Sequence, residues 1–140
     1  MAIDIFITFK GNCREAVEFY AEAFQTDKAQ IMTYENTPPQ PGQEFPLFEE
    51  VKNLVMQASL NINGSTLMFQ DVFPGMPITI GNNINLTLGM NNIDKIKSAF
   101  NKLKEGGTVA MDLQETFWSK CYGSVTDKFG IPWQFNYIEI

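Results

Sequence analysis

The chain contains no histidine. Ser-His and Cys-His catalysis, histidine general bases and histidine-bearing zinc sites are thereby excluded, and any chemistry must run on carboxylates, cysteine, lysine, tyrosine or a bound cofactor. Cysteine is almost as scarce: Cys13 and Cys121 are the only two in 140 residues, too few and too far apart for a disulfide framework or a metal-spacing motif. Charged residues make up only 19%, and their balance is acidic, with 10 Lys and Arg against 16 Asp and Glu. A net charge of −6 without a basic cluster opposes phosphate backbones, so nucleic acid is not an expected partner. No apolar run is long enough to cross a bilayer, and the N-terminal residues lack a basic segment leading into an apolar one. The sequence therefore predicts a cytosolic protein with no membrane contact.

What remains is a globular composition, 44% hydrophobic, of a size to form one domain over residues 1–140 and to bury roughly two thirds of its unfolded surface. Ile3 to Phe9 is an apolar run rich in Ile, Phe and Thr, closed by Lys10-Gly11, and reads as a strand. Asn12 and Glu15 have capping-box spacing, and Ala16, Val17, Phe19, Tyr20, Ala23 and Phe24 follow at helical spacing. A second strand spans Ala29 to Tyr34. Glu35 to Pro46 then carries Pro38, Pro39, Pro41, Gly42 and Pro46, which no regular element survives; it is expected to be a lid or binding loop, or a disordered excursion. Val55 to Asn61 and Thr66 to Gln70 flank Asn63-Gly64, a hairpin signal.

After a linker at residues 72–83 the order repeats. Ile84 to Met90 reads as a strand, Asn91 or Asn92 as a helix cap, and Ile93, Ile96, Ala99, Phe100 and Leu103 as a helix face ending at Gly106-Gly107. Thr108 to Leu113, Tyr122 to Thr126 and Ile131 to Ile138 supply three more strands, the last two joined by a turn at Asp127-Lys128-Phe129-Gly130. The chain is thus two copies of strand, helix and three strands, at residues 1–73 and 84–140. In the last strand Trp133, Phe135 and Tyr137 share one face and Gln134, Asn136 and Ile138 the other: an apolar back and an amide-bearing front, as in a sheet that packs on a helix and lines a polar cup.

This repeat, with KGNCREAVEFY near the start and QETFWSKCYGSVTDKFGIPWQFNY at the end, resembles the PhnB-like branch of the vicinal oxygen chelate (glyoxalase/bleomycin-resistance/dioxygenase) superfamily over nearly the whole chain. The resemblance implies an α+β fold of two βαβββ modules whose curved mixed sheets form a cup, often completed by a homodimer. It also implies a divalent metal on His and Glu side chains in catalytic members. Carried over position by position, those ligands are missing here. The first strand offers Ile5 or Phe6, the strand before Asn63-Gly64 offers Gln57, the strand opening the second half offers Asn85, and the last strand offers Gln134. Neutral amide oxygens are weak ligands beside imidazole or carboxylate, so no metal and no cofactor is expected. Methyl transfer, which some members carry in their family description, is not inferred either, since no Gly-rich strand-to-helix turn is present.

Gln57, Asn85 and Gln134 are candidate ligand-binding groups, or else solvated polar residues on a sheet face. Trp118 and Tyr122 are candidates to stack on a flat ligand, or else fill a core or a dimer interface. Glu115, beside two aromatics, is the candidate general base, or else a surface carboxylate. Cys13 lies where a helix N-terminus would lower its pKa, but without a histidine it reads more simply as a buried small residue. Asp71 and Asp127 are assigned to turns, and Arg14 and Lys120 to solvated charge or an anionic ligand. The leading expectation is a dimeric, glyoxalase-fold binder of a small molecule without a catalytic metal. The alternatives are a metal-dependent lyase, isomerase or dioxygenase using Glu115 with Glu49 or Glu50, and a protein whose function is its dimer surface.

Overall fold

The computed structural model describes residues 3–36 and 49–139. They form two compact units, Met1–Ile78 and Thr79–Ile140. The first contains β1 (Ile5–Phe9), α1 (Cys13–Ala23), β2 (Gln30–Thr33), α2 (Glu49–Lys52), β3 (Val55–Ile62) and β4 (Ser65–Asp71). The second contains β5 (Leu86–Met90), α3 (Ile93–Leu103), β6 (Thr108–Gln114), β7 (Tyr122–Thr126) and β8 (Pro132–Tyr137). Each unit holds a four-stranded mixed sheet, in the orders β1-β4-β3-β2 and β5-β8-β7-β6. In each, the first strand runs parallel to the last and the other neighbours are antiparallel. The architecture is the expected α+β pair of βαβββ modules. The four-residue α2 is an addition that the sequence did not announce. Of the Pro-rich loop at 35–46, residues 37–46 lie outside the described residues, as do the side chains of Glu49 and Glu50.

Period-two alternation decides which side of each sheet is covered. In the first unit Phe9, Ala58, Leu60, Ile62, Leu67 and Phe69 lie on one face and are buried with the apolar stripe of α1. Tyr20 of that helix packs on Phe69 with ring centroids 5.9 Å apart. In the second unit Trp133, Phe135 and Val125 are buried with Ile96, Ala99, Phe100 and Leu103 of α3, and Phe100 meets Phe135 edge-on at 5.8 Å. Each such side chain moved out of water contributes roughly 1.5–3 kcal/mol. The opposite sheet faces carry polar residues: Thr8, Gln57, Ser59 and Gln70 in one unit, and Thr87, Ser124, Gln134 and Asn136 in the other.

The turns follow their residues. Asn63 and Gly64 have φ of 51° and 89°, the two positive values that a two-residue hairpin of matching twist requires. Asp127 Oδ1 accepts the backbone N–H groups of Phe129 (2.8 Å) and Ile131 (3.1 Å), while Gly130 takes φ 89°. The other carboxylate oxygen of Asp127 accepts Trp133 Nε1 at 2.9 Å, so the turn residue also orients the largest side chain of that core.

Two expectations are corrected. Asn12 makes no side-chain cap on α1, whereas Asn92 caps α3 by accepting Lys95 N at 3.1 Å. Asp71, assigned to a turn from the sequence, performs the missing cap from β4. Its Oδ1 accepts Gly11 N (2.9 Å) and Cys13 N (3.0 Å), and its Oδ2 accepts Val55 N (2.9 Å). A carboxylate at the positive end of the α1 dipole outcompetes the neutral amide of Asn12. It also holds the starts of α1 and β3 to the end of β4. Replacing Asp71 by Ala orphans three buried or half-buried donors, and the expected loss is about 4 kcal/mol. Urea titration of D71A against the parent tests this; a loss below about 1 kcal/mol would show that the three donors find other partners.

Candidate ligand-binding site

The open face of the second unit is built by β5, β8 and β7. The register pairs Thr87 with Gln134 and Gly89 with Asn136 on one side, and Ser124 with Gln134 and Tyr122 with Asn136 on the other. Gln134, Asn136 and Tyr122 therefore share one surface, with Gln134 accepting Thr87 Oγ1 at 3.2 Å. Asn136 Oδ1 is buried and has no hydrogen-bond partner among the described residues. A buried acceptor left unpaired costs about 1–3 kcal/mol, so it stands out from the satisfied groups around it.

Beside this surface the bend between β6 and β7 folds back on itself. Thr116 N donates to Ser119 O (2.8 Å) and Ser119 N to Thr116 Oγ1 (3.1 Å), which places Phe117 and Trp118 at the tip of a closed turn. Phe117 is 98% and Trp118 53% exposed. They form an aromatic chain with Tyr122: Phe117 to Trp118 at 4.8 Å and Trp118 to Tyr122 at 5.4 Å, both edge-on. The base of the turn is pinned by Ser119 Oγ, which donates to Cys121 O (3.0 Å) and Tyr137 O (3.2 Å). β6 leaves regular register on the way there, with shifts after Val109 and Met111. Gly123 permits the close approach, since a Cβ there would stand 2.8 Å from Leu113 Cδ2 and 3.1 Å from Met111 O.

The bend and the end of β8 line an open concavity of ≈560 Å³ that includes Glu115, Trp118, Lys120, Asn136, Tyr137 and Glu139. That volume suits a small organic molecule. Lys120 Nζ lies 2.6 Å from Glu139 Oε1 and 5.7 Å from the centroid of the Tyr137 ring. The hydrogen bond to Glu139 raises the Lys120 pKa, and the same bond from Lys120 lowers that of Glu139. Both groups are fully hydrated, so this is a rim interaction.

The structure brings Glu115, Trp118, Tyr122 and Gln134 into one unit, together with Asn136, which was seen in the sequence only as a companion of Gln134. Glu115 is exposed rather than enclosed by its aromatic neighbours. Asn85 falls just outside β5 and is exposed, because its opposite position on β8 is Pro132, which has no N–H to extend the ladder. Gln57 belongs to the other unit, paired with Met32, where with Gln30 and Ser59 it lines a groove of ≈140 Å³. On β1, Phe6 and not Ile5 shares the face of Gln57, since Phe6 pairs with Met68, whereas Ile5 pairs with the core residue Leu67. Asn136 was detectable from period two alone. The closed turn at 116–119 was not, because its bonds are made by groups that any Thr and Ser carry.

Cys13 is 0% exposed, and burial, followed by the negative charge of Asp71, pushes its thiol up to about 12 from 9.0. The helix N-terminus does not activate it. Cys121 is also buried, and its thiol is raised for the same first reason. The Cys13 shift is upward, so its stabilising effect is complete below the unfolded value near 9 and is lost as pH rises towards about 12. Native protein at pH 8 is expected to show no fast-reacting thiol, and denatured protein two; rapid labelling of Cys13 in the folded state would contradict this.

The two mixed sheets and their helices form a glyoxalase/bleomycin-resistance fold. A glyoxalase/bleomycin resistance protein from Albidiferax ferrireducens T118 superposes with TM-score 0.61 over 98% of this chain and 100% of that one, at 12% identity. Residues 1–136 match the family described as 3-demethylubiquinone-9 3-methyltransferase, and the chain belongs to this PhnB-like family. Protein YjdN of Escherichia coli K12 is 28% identical, with 99% of this chain and 97% of YjdN aligned. The crystal structure of protein PA1353 from Pseudomonas aeruginosa has TM-score 0.82 and 28% identity, covering 98% and 97% of the two chains. A Bacillus cereus protein described as a putative 3-demethylubiquinone-9 3-methyltransferase, PhnB protein, has TM-score 0.74 and 26% identity, covering 99% and 100%.

Proposed function

We propose that this PhnB-like protein binds a small organic molecule on the open face of its second sheet, as a cytosolic homodimer, without a catalytic metal. The observation that carries the reading is the concavity itself, lined by Phe117, Trp118 and Tyr137 together with Glu115, Lys120 and Glu139. Gln134 lies on the same sheet face as Asn136, two residues along β8. The superfamily's metal does not fit the donors present. Gln57, Asn85 and Gln134 offer neutral amides, the β1 position offers Phe6, and Gln134 Oε1 already accepts a hydrogen bond from Thr87. The described residues contain no group of three or more Cys, Asp or Glu side chains placed to hold an ion. The family's description names methyl transfer, but the turns entering α1 and α3, Lys10-Gly11-Asn12 and Asn91-Asn92, lack the glycines of a nucleotide-type cofactor loop.

The expected result is no stoichiometric metal in the purified protein and no rise in melting temperature with Ni, Co, Mn, Zn or Mg ions, since an ion bound to the native state stabilises it by mass action. A clear rise with one ion would overturn the metal-free reading. It would favour a lyase, isomerase or dioxygenase with Glu115, at the rim of the concavity, as a participant. Light scattering at micromolar concentration is expected to give twice the 15.9 kDa chain mass; a monomer would remove the dimer from the proposal.

A further inference from the structure

The chemistry of the concavity points to a class of ligand, and this step rests on the reading of that concavity as the binding site. Its walls are aromatic: Trp118 and Phe117 at the turn tip and Tyr137 at the strand end. Its polar groups are chiefly acceptors. Asn136 Oδ1 is unpaired, Glu115 is exposed, and Glu139 adds a second carboxylate. Three of its donors are engaged within the chain. Ser119 Oγ donates to Cys121 O and Tyr137 O, the Thr116 hydroxyl to Ser119 O (3.4 Å), and Lys120 Nζ to Glu139. Two carboxylates face one ammonium, in a chain of net charge −6.

A site of aromatic side chains with one carboxylate in excess is complementary to a flat cation. We infer that the site takes a protonated, flat heteroaromatic amine or amidine. Its ring lies against Trp118 and its positive charge faces Glu115. An anionic ligand would meet the same carboxylates unfavourably. An uncharged ring would gain the stacking and lose the charge contact.

The test uses proflavine, a flat cationic diamine, against its uncharged analogue acridone and the anion anthracene-2-carboxylate, with binding read by the probe's own emission anisotropy. Proflavine is expected to bind saturably, one per chain, and at least about tenfold more tightly than the other two, the discrimination expected of one cation–π contact with an added charge contact. Trp118→Ala should weaken it by about tenfold, Trp118→Phe should largely retain it, and Glu115→Gln should weaken proflavine by about threefold and leave acridone unchanged. Both side chains are exposed, and unchanged thermal melts would confirm that the variants fold. If acridone or anthracene-2-carboxylate binds as well as proflavine and depends equally on Trp118, the site stands and the cationic class is refuted. If proflavine binding ignores Trp118→Ala and Glu115→Gln alike, the concavity is not its site, and the inference fails whether or not the protein binds metal.

Discussion

One carboxylate holds the first unit together. Asp71 ends β4, and from there it satisfies backbone donors of the β1–α1 corner and of the first residue of β3, three segments far apart in sequence. Buried backbone N–H groups cannot be left unpaired without cost, and a charged acceptor meets several at once. The orientation of α1 on its sheet, the depth of Cys13 and the point at which the chain rejoins the sheet after α2 all depend on that side chain. In the second unit the corresponding task is divided. Asn92 caps α3 from its own turn, and Asp127 fastens the last hairpin and the Trp133 indole.

Elements whose signals are local were readable in the sequence. The Asn63-Gly64 and Asp127-to-Gly130 turns, both long helices and every strand lie within a residue or two of where period and turn chemistry put them. The role of Asp71 was not readable, because a cap supplied across the sheet leaves no trace at positions 12–15; a local capping box was the simpler reading of Asn12 and Glu15. Cys13 is the buried small residue that the sequence favoured, but the lowering of its pKa expected from the helix N-terminus is reversed for the same reason. The helix N-terminus beside it is visible in sequence, but the burial and the neighbouring carboxylate that reverse its influence are tertiary facts.

The candidate site was half legible. Alternation assigned Gln134 and Asn136 to the face away from the helix, and the register confirms that Tyr122 joins them. It could not indicate that Asn136 Oδ1 is buried without a partner among the described residues, since that depends on which neighbour satisfies which amide. Gln57 lies in the first unit, as the repeat boundaries read from the sequence placed it. Asn85 illustrates a finer limit: a proline on the neighbouring strand, 47 positions away, decides where its own strand begins.

The turn at 116–119 is closed by its own first and last residues and hydrogen-bonded to the sheet at its base, through the hydroxyl of Ser119. Its two tip side chains take no part in those bonds, although Trp118 packs edge-on against Tyr122 and both line the concavity. Exchange of residues 117 and 118 would alter the wall of the concavity while leaving in place the hydrogen bonds that close the turn and fasten it, because none of those bonds uses either side chain.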